Sequence, residues 1–320
     1  MILSITYILF GLVALYFGAE WLVKGASSLA IRLGMTPLVA GLTVVAFGTS
    51  SPELVVSLVA SLNGAGDIAL GNVIGSNIFN IAAILGLTAV IVPLKVEFQL
   101  LKFDTPFMIA VSGLFLWFFR DRSISLMEAV LLFALIIVYV AVNIRLAKKQ
   151  VTPAIAEEFD QGLAALATQA QAPAWKSLLL IGIGLAVLIL GSRVFVIGAV
   201  NIARGFMISE AIIGLTIVAA GTSLPELASS LVAALRQQAD IAIGNIVGSN
   251  IFNLLGILGL SGMLAGPLQG PGITFVDIGV MLGFSAMLLP MLWTGFRVSR
   301  WEGAALLIGY GGYLFWIWPK

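Results

Sequence analysis

Residues 41–54 read GLTVVAFGTSSPEL and residues 214–227 read GLTIVAAGTSLPEL. Each stretch is followed by a second near-copy, DIALGNVIGSNIFN at 67–80 and DIAIGNIVGSNIFN at 240–253. Aligned at an offset of 173 without a gap, about 31 of 47 positions are identical, far more than two unrelated apolar helices share. The chain is therefore two copies of one unit. Each copy carries a single glutamate inside a hydrophobic run, Glu53 and Glu226, at equivalent places.

The solvent for this repeat follows from composition. A hydrophobic fraction of 60%, only 10% charged residues and a mean hydropathy of +1.12 exclude a water-soluble globule and indicate a polytopic membrane protein. A net charge of +1 argues against a nucleic-acid partner. Cysteine and histidine are both absent. That removes disulfides, thiolate chemistry, histidine-ligated zinc and any nucleophile that needs a histidine base, so no enzyme and no cofactor is expected. The opening segment MILSITYILFGLVALYFGAEW lacks a basic leader and runs into a full span, which reads as a retained first helix.

Apolar segments long enough to cross a bilayer fall near residues 3–30, 36–61, 67–94, 104–119 and 125–146, and again near 176–204, 209–235, 240–266, 273–294 and 301–318. The expected fold is an all-α polytopic membrane protein of ten transmembrane helices. Residues 1–147 form the first five-helix repeat, 148–175 a polar connector and 176–320 the second repeat. Five spans per copy force the second copy to enter from the opposite side, so the repeats are inverted. With the N-terminus outside, the inner loops hold Lys24, Arg32, Lys95, Lys102, Arg145, Lys148, Lys149, Lys176, Arg236, Arg297 and Arg300. The outer ones hold Arg120, Arg122, Arg204 and Lys320. This bias predicts both termini outside and the connector in the cytoplasm.

A carboxylate at mid-bilayer costs at least about 2.5–3.5 kcal/mol, and no lysine or arginine shares its segment, so a mobile cation is the expected partner. The neighbours of each glutamate suit one. Gly48-Thr49-Ser50-Ser51-Pro52-Glu53 joins a flexible residue, three hydroxyls and a proline that breaks the helical bond to the carbonyl of Gly48; Gly221-Thr222-Ser223-Leu224-Pro225-Glu226 repeats it at Gly221. Unwound backbone at this depth is tolerated beside a cavity, where its carbonyls bind cations. Ser76 with Asn80, and Ser249 with Asn253, lie on one helical face each and add neutral oxygens. An all-oxygen set favours a hard cation such as Ca²⁺ or Na⁺.

Other polar residues read as structural. Asn72, Asn77, Asn245 and Asn250 suit interhelical hydrogen bonds, and the GxxxG pairs Gly71/Gly75 and Gly244/Gly248 suit close helix approach. Asp67 and Asp240 read as helix caps, Glu20 as a partner of Lys24, and Arg193, at the position equivalent to Glu20, as a snorkelling side chain.

The doubled GTSSPEL/GTSLPEL and GSNIFN motifs resemble the alpha-repeats of the calcium/cation antiporter superfamily, in its prokaryotic sodium/calcium exchanger branch. The resemblance covers nearly the whole chain and implies an ion-binding core of helices 2, 3, 7 and 8 at the midplane. It implies a calcium site of the Glu53 and Glu226 carboxylates with carbonyls of Thr49 and Thr222. Sodium sites would draw on Ser50, Ser76 and the Ala46 carbonyl, and on Ser223, Ser249 and the Ala219 carbonyl, with Asn80 and Asn253 between. Some relatives, potassium-dependent ones among them, carry aspartate where Asn253 stands; asparagine in both copies argues against potassium co-transport and leaves a cage of charge minus two. The resemblance implies exchange of Ca²⁺ for Na⁺ by alternating access, helices 1 and 6 sliding against the rest, with calcium leaving as sodium enters. A calcium/proton exchanger on the same scaffold and a passive cation channel stay open as alternatives.

Overall fold

A computed structural model of the protein describes residues 2–150, 173–206 and 219–317, the side chains of 147–150 excepted. Residues 151–172 of the polar connector and the first part of the seventh span lie outside the described residues. Helices stand where the hydropathy places them. In the first repeat these are α1 (Ile2–Arg32), α2 in two pieces (Pro37–Thr49 and Ser51–Leu62), α3 (Gly66–Ile91), α4 (Leu100–Asp121) and α5 (Leu126–Gln150). In the second they are α6 (Ala174–Gly205), the described part of α7 (Ala219–Thr222 and Leu224–Leu235), α8 (Ala239–Ala265), α9 (Phe275–Trp293) and α10 (Arg300–Ile317). The molecule is a ten-helix membrane protein of two inverted five-helix repeats, as the odd span count requires.

Helices α3 and α8 form the centre. Of α8's span 94% is buried, against 28% for α1 and for α6, so the repeated GSNIFN segment sits in protein while α1 and α6 face lipid. Backbone proximity holds this centre together. A Cβ on Gly248 would lie 2.6 Å from the Leu42 carbonyl oxygen, one on Gly244 2.8 Å from that of Leu38, and one on Gly41 2.7 Å from that of Ile241. The second GxxxG thus seats α8 directly on α2. The segment that would face Gly71 and Gly75 in the same way lies outside the described residues.

Helices α1 and α6 make a second tight pair. Ser4, Gly11, Gly18 and Gly25 recur every seven residues, as do Ser177, Gly184, Gly191 and Gly198. A Cβ on Gly18 would stand 2.9 Å from the Gly184 carbonyl oxygen, and one on Gly184 2.8 Å from that of Gly18. Ser177 also donates to Ser28 at 2.9 Å. At each of these glycines the backbone of one helix lies directly against the backbone and the side-chain base of the other, the close approach small residues permit in lipid.

Two features were not expected of an all-helical chain. Leu94–Lys95 pairs antiparallel with Arg297–Val298, and Ser123–Ile124 with Leu268–Gln269. These ribbons are equivalents of each other under the inverted repeat, and tie the halves together at opposite ends of the bundle. In addition, π-helical turns occupy Gly41–Val45, Asn80–Leu85, Leu100–Asp104 and Asn253–Ile257.

Several loop charges take other partners than their spacing suggests. Glu20 pairs with Arg236, not with Lys24, which ties α1 to the end of α7. Asp67 accepts the backbone N–H of Gly272 at 2.8 Å, so it fastens the loop before α9 instead of capping its own helix. Its counterpart Asp240 hydrogen-bonds the carboxyl of Glu97. Burial, and then the charge of Asp240, push Glu97 up from 4.5 to about 7. A raised carboxyl pKa means that the folded chain holds a proton the unfolded chain releases. This contribution to stability is therefore complete below about pH 4.5 and lost as pH rises through 7. In thermal melts the wild type is expected to lose stability over that window, and Glu97→Gln to lose less.

Candidate cation site

Each glutamate is delivered by a broken helix. The helix stops at Ser50, whose φ and ψ of −79° and 7° leave the helical region, and restarts at Ser51 with a bend of 47°. Ser223, at −90° and 9°, does the same in α7. Pro52 and Pro225 fall at the start of the new helix, where their missing N–H and fixed φ are accommodated. Glu53 and Glu226 therefore enter in the first turn of a new helix, at its positive end. Ala46 and Ala219 begin the short turns that precede the two breaks. The carbonyl freed by Pro225, that of Gly221, accepts a hydrogen bond from the Ser192 hydroxyl of α6.

The two halves interlock crosswise. Ser50 donates to Glu226 Oε1 at 2.8 Å, and Ser223 donates to Glu53 Oε1 at 2.7 Å. Thr222 lies close to Glu53 and Thr49 close to Glu226, and the Thr49 hydroxyl donates to Asn245 Oδ1 at 3.1 Å. Ser76 lies 3.4 Å from the Ser223 hydroxyl. Asn80 donates to Asn250 Oδ1 at 3.1 Å and Asn253 to Asn77 Oδ1 at 3.0 Å, so each repeat orients the other's asparagine. Asn72 and Asn245 fasten the carbonyls of Glu53 and Glu226 at 3.2 and 3.4 Å. All four of the asparagines expected to bridge helices do so.

What these bonds leave over is informative. Buried polar atoms are almost always paired, yet Glu53 Oε2, Glu226 Oε2, Asn80 Oδ1, Asn253 Oδ1 and the Ser249 hydroxyl are buried with no partner among the described residues. These five gather at the repeated motifs, while four others, on Thr88, Gln99, Thr105 and Ser261, lie elsewhere in the bundle. Asn80 and Asn253 each have the amide nitrogen engaged in a hydrogen bond and the amide oxygen open. Such a group of acceptors, two of them carboxylate, is suited to a positively charged ligand. Among the described residues no three acidic side chains gather within reach of one ion, so a cation held here would complete its shell with neutral oxygens.

The π-helical turns at Asn80 and Asn253 are the element of the site that residue types do not signal. Each begins at the asparagine itself, directly after GSNIF. The wider turn re-aims the next helical stretch at the point where the amide meets the other repeat, and such bulges concentrate at functional sites.

A family model described as "Sodium/calcium exchanger protein" matches residues 3–145 and 176–318, that is, both repeats. The chain belongs to the sodium/calcium exchanger family. Among relatives of this exchanger, CaxA of Alkalimonas amylolytica is 38% identical over 98% of each chain, and the sodium/calcium exchanger MaX1 of Methanosarcina acetivorans 35% identical over 96% of each. A solved structure of the sodium-calcium exchanger NCX_Mj superposes with a TM-score of 0.82 at 32% identity, covering 100% of both chains. Members of this family are membrane transporters, and the present exchanger is a multi-pass cation antiporter with no enzymatic role and no cofactor.

Proposed function

We propose that this exchanger carries Ca²⁺ in one direction against Na⁺ in the other, through one site shared by the two repeats, with calcium export driven by sodium entry. The five unpartnered oxygens around Glu53 and Glu226 carry the reading. In it Glu53 and Glu226, with carbonyls of Thr49 and Thr222, hold Ca²⁺. Ser50, Ser76 and the Ala46 carbonyl in one repeat, and Ser223, Ser249 and the Ala219 carbonyl in the other, hold sodium. Asn80 and Asn253 line the space between. Two carboxylates neutralise one divalent ion or two monovalent ones, so the loads compete. An empty cage leaves two charges without a partner in a low-dielectric setting. A carrier that changes sides only when loaded exchanges ions and does not leak.

The same reading takes residues 1–147 and 176–320 as the two repeats and 148–175 as a cytoplasmic connector, with both termini outside. The basic residues near Glu20, Lys24 and Lys95 then face the cytoplasm. The decisive measurement is Ca²⁺ uptake into proteoliposomes under an imposed sodium gradient with the proton gradient collapsed by an ionophore. Sodium-driven uptake is expected. Uptake that follows a proton gradient alone would instead establish a calcium/proton exchanger, and flux with no counter-ion a channel.

A further inference from the structure

Inverted repeats allow each contact at one end of the bundle to be compared with its counterpart at the other. Glu20 on α1 corresponds to Arg193 on α6, and Arg236 after α7 corresponds to Asn63 after α2, all at the offset of 173. At the first end Glu20 and Arg236 form an ion pair, and Ser27 donates a hydrogen bond to Gln238 at 3.1 Å. Helix α1 is thereby fastened to the loop between α7 and α8. At the opposite end Arg193 and Asn63 are both exposed. There a cavity of about 430 Å³ separates α6 from α2, lined by Ser51, Val55, Arg193, Val196 and Thr222 among others, and reaches the break beside the glutamates. The bundle is closed where the ion pair stands and open where it is missing.

We propose that the Glu20–Arg236 pair is a latch that sets the balance between the two access states, holding its own mouth shut. This rests on alternating access but not on which ions are exchanged. When one repeat takes the other's conformation, the cavity beside Arg193 closes and Arg193 approaches Asn63. A neutral amide there gives a weaker tie than a carboxylate does. The unequal partners bias the protein toward the state closed at the Glu20 end. A partly exposed ion pair is worth at most a few-fold in such an equilibrium, enough to favour one direction of loading without locking it.

The chain contains no cysteine, so single cysteines report each mouth cleanly. Val196 lines the cavity, and its counterpart Val23 is 3% exposed. In the purified full-length protein without ions, Glu20→Gln is expected to raise the rate at which a thiol reagent labels Val23→Cys two- to fivefold and to lower that of Val196→Cys. Asn63→Glu, which gives Arg193 an acidic partner, should act in the same direction. The double exchange Glu20→Arg with Arg236→Glu should restore the original rates. Rates that do not change in Glu20→Gln, or that rise together at both positions, would overturn the proposal, as would failure of the double exchange to restore them. Since labelling needs no gradient, this outcome is separate from that of the uptake experiment.

Discussion

Glu53→Gln and Glu226→Gln are each expected to abolish exchange. Glutamine keeps the shape of the side chain and its bond to the opposing serine, Ser223 for Glu53 and Ser50 for Glu226, while removing half of the cage's formal charge. Taking away one partner of a buried charge interaction costs about 3–5 kcal/mol, which is roughly two to four orders of magnitude in affinity. Uptake should fall to background at calcium concentrations that saturate the wild type. A melting experiment separates this loss from misfolding. The variants should melt no lower than the ion-free wild type, because a buried charge without a partner has been removed. They should lose the rise in melting temperature that Ca²⁺ gives the wild type by binding the folded state. A variant that keeps its flux, or its calcium-induced stabilisation, would take that glutamate out of the site.

Gly248→Val is expected to be nearly as damaging, by a different route. The first added carbon already lies 2.6 Å from the Leu42 carbonyl oxygen, 2.7 Å from Leu42 Cα and 2.9 Å from Ala46 Cβ. All three belong to packed α2, which has no flexible chain end to move aside. Overpacking of this kind costs about 1–3 kcal/mol, and relief requires α8 to back away from α2. That shift carries Ser249 and Asn253 away from the turn that presents Ser50 and Glu53. A melting temperature several degrees lower and a calcium half-saturation at least tenfold higher should appear together. Gly182→Ala serves as the comparison. It is exposed on α6 with open space around it among the described residues, so it should raise helix stability slightly, by about 0.5–1 kcal/mol, and leave transport intact.

The sequence made much of this legible because the physics of the site is written in residue types that lipid otherwise excludes. A glutamate and a proline within an apolar run identify a broken span without any structure, and doubling the motif identifies two. The crosswise pairing was less accessible. That Ser50 serves Glu226 rather than its neighbour Glu53 depends on how two antiparallel helix ends cross, which no local spacing encodes. The π-helical turns at Asn80 and Asn253 leave no compositional mark, since the following residues, Ile81-Ala82-Ala83 and Leu254-Leu255-Gly256, suit an ordinary helix equally well. Glu20 shows the opposite error. A partner four residues away in Lys24 satisfies the local rule, whereas the partner in the fold is 216 residues away. The seven-residue spacing of small residues in α1 and α6 is visible in the chain, but it gains meaning only once the two helices are seen to face one another.

That spacing restricts how α1 and α6 can travel. Their glycines mesh like the teeth of two racks, and successive teeth stand about 10.5 Å apart along the axis, seven residues at 1.5 Å each. A smaller slip of one helix along the other would carry Leu188 and Phe195, now seated on the bare Gly18 and Gly11, against neighbours that have a Cβ. The two helices cannot telescope. Whatever motion uncovers first one mouth and then the other must move them as a single keyed beam, and the beam's ends must rise and fall together.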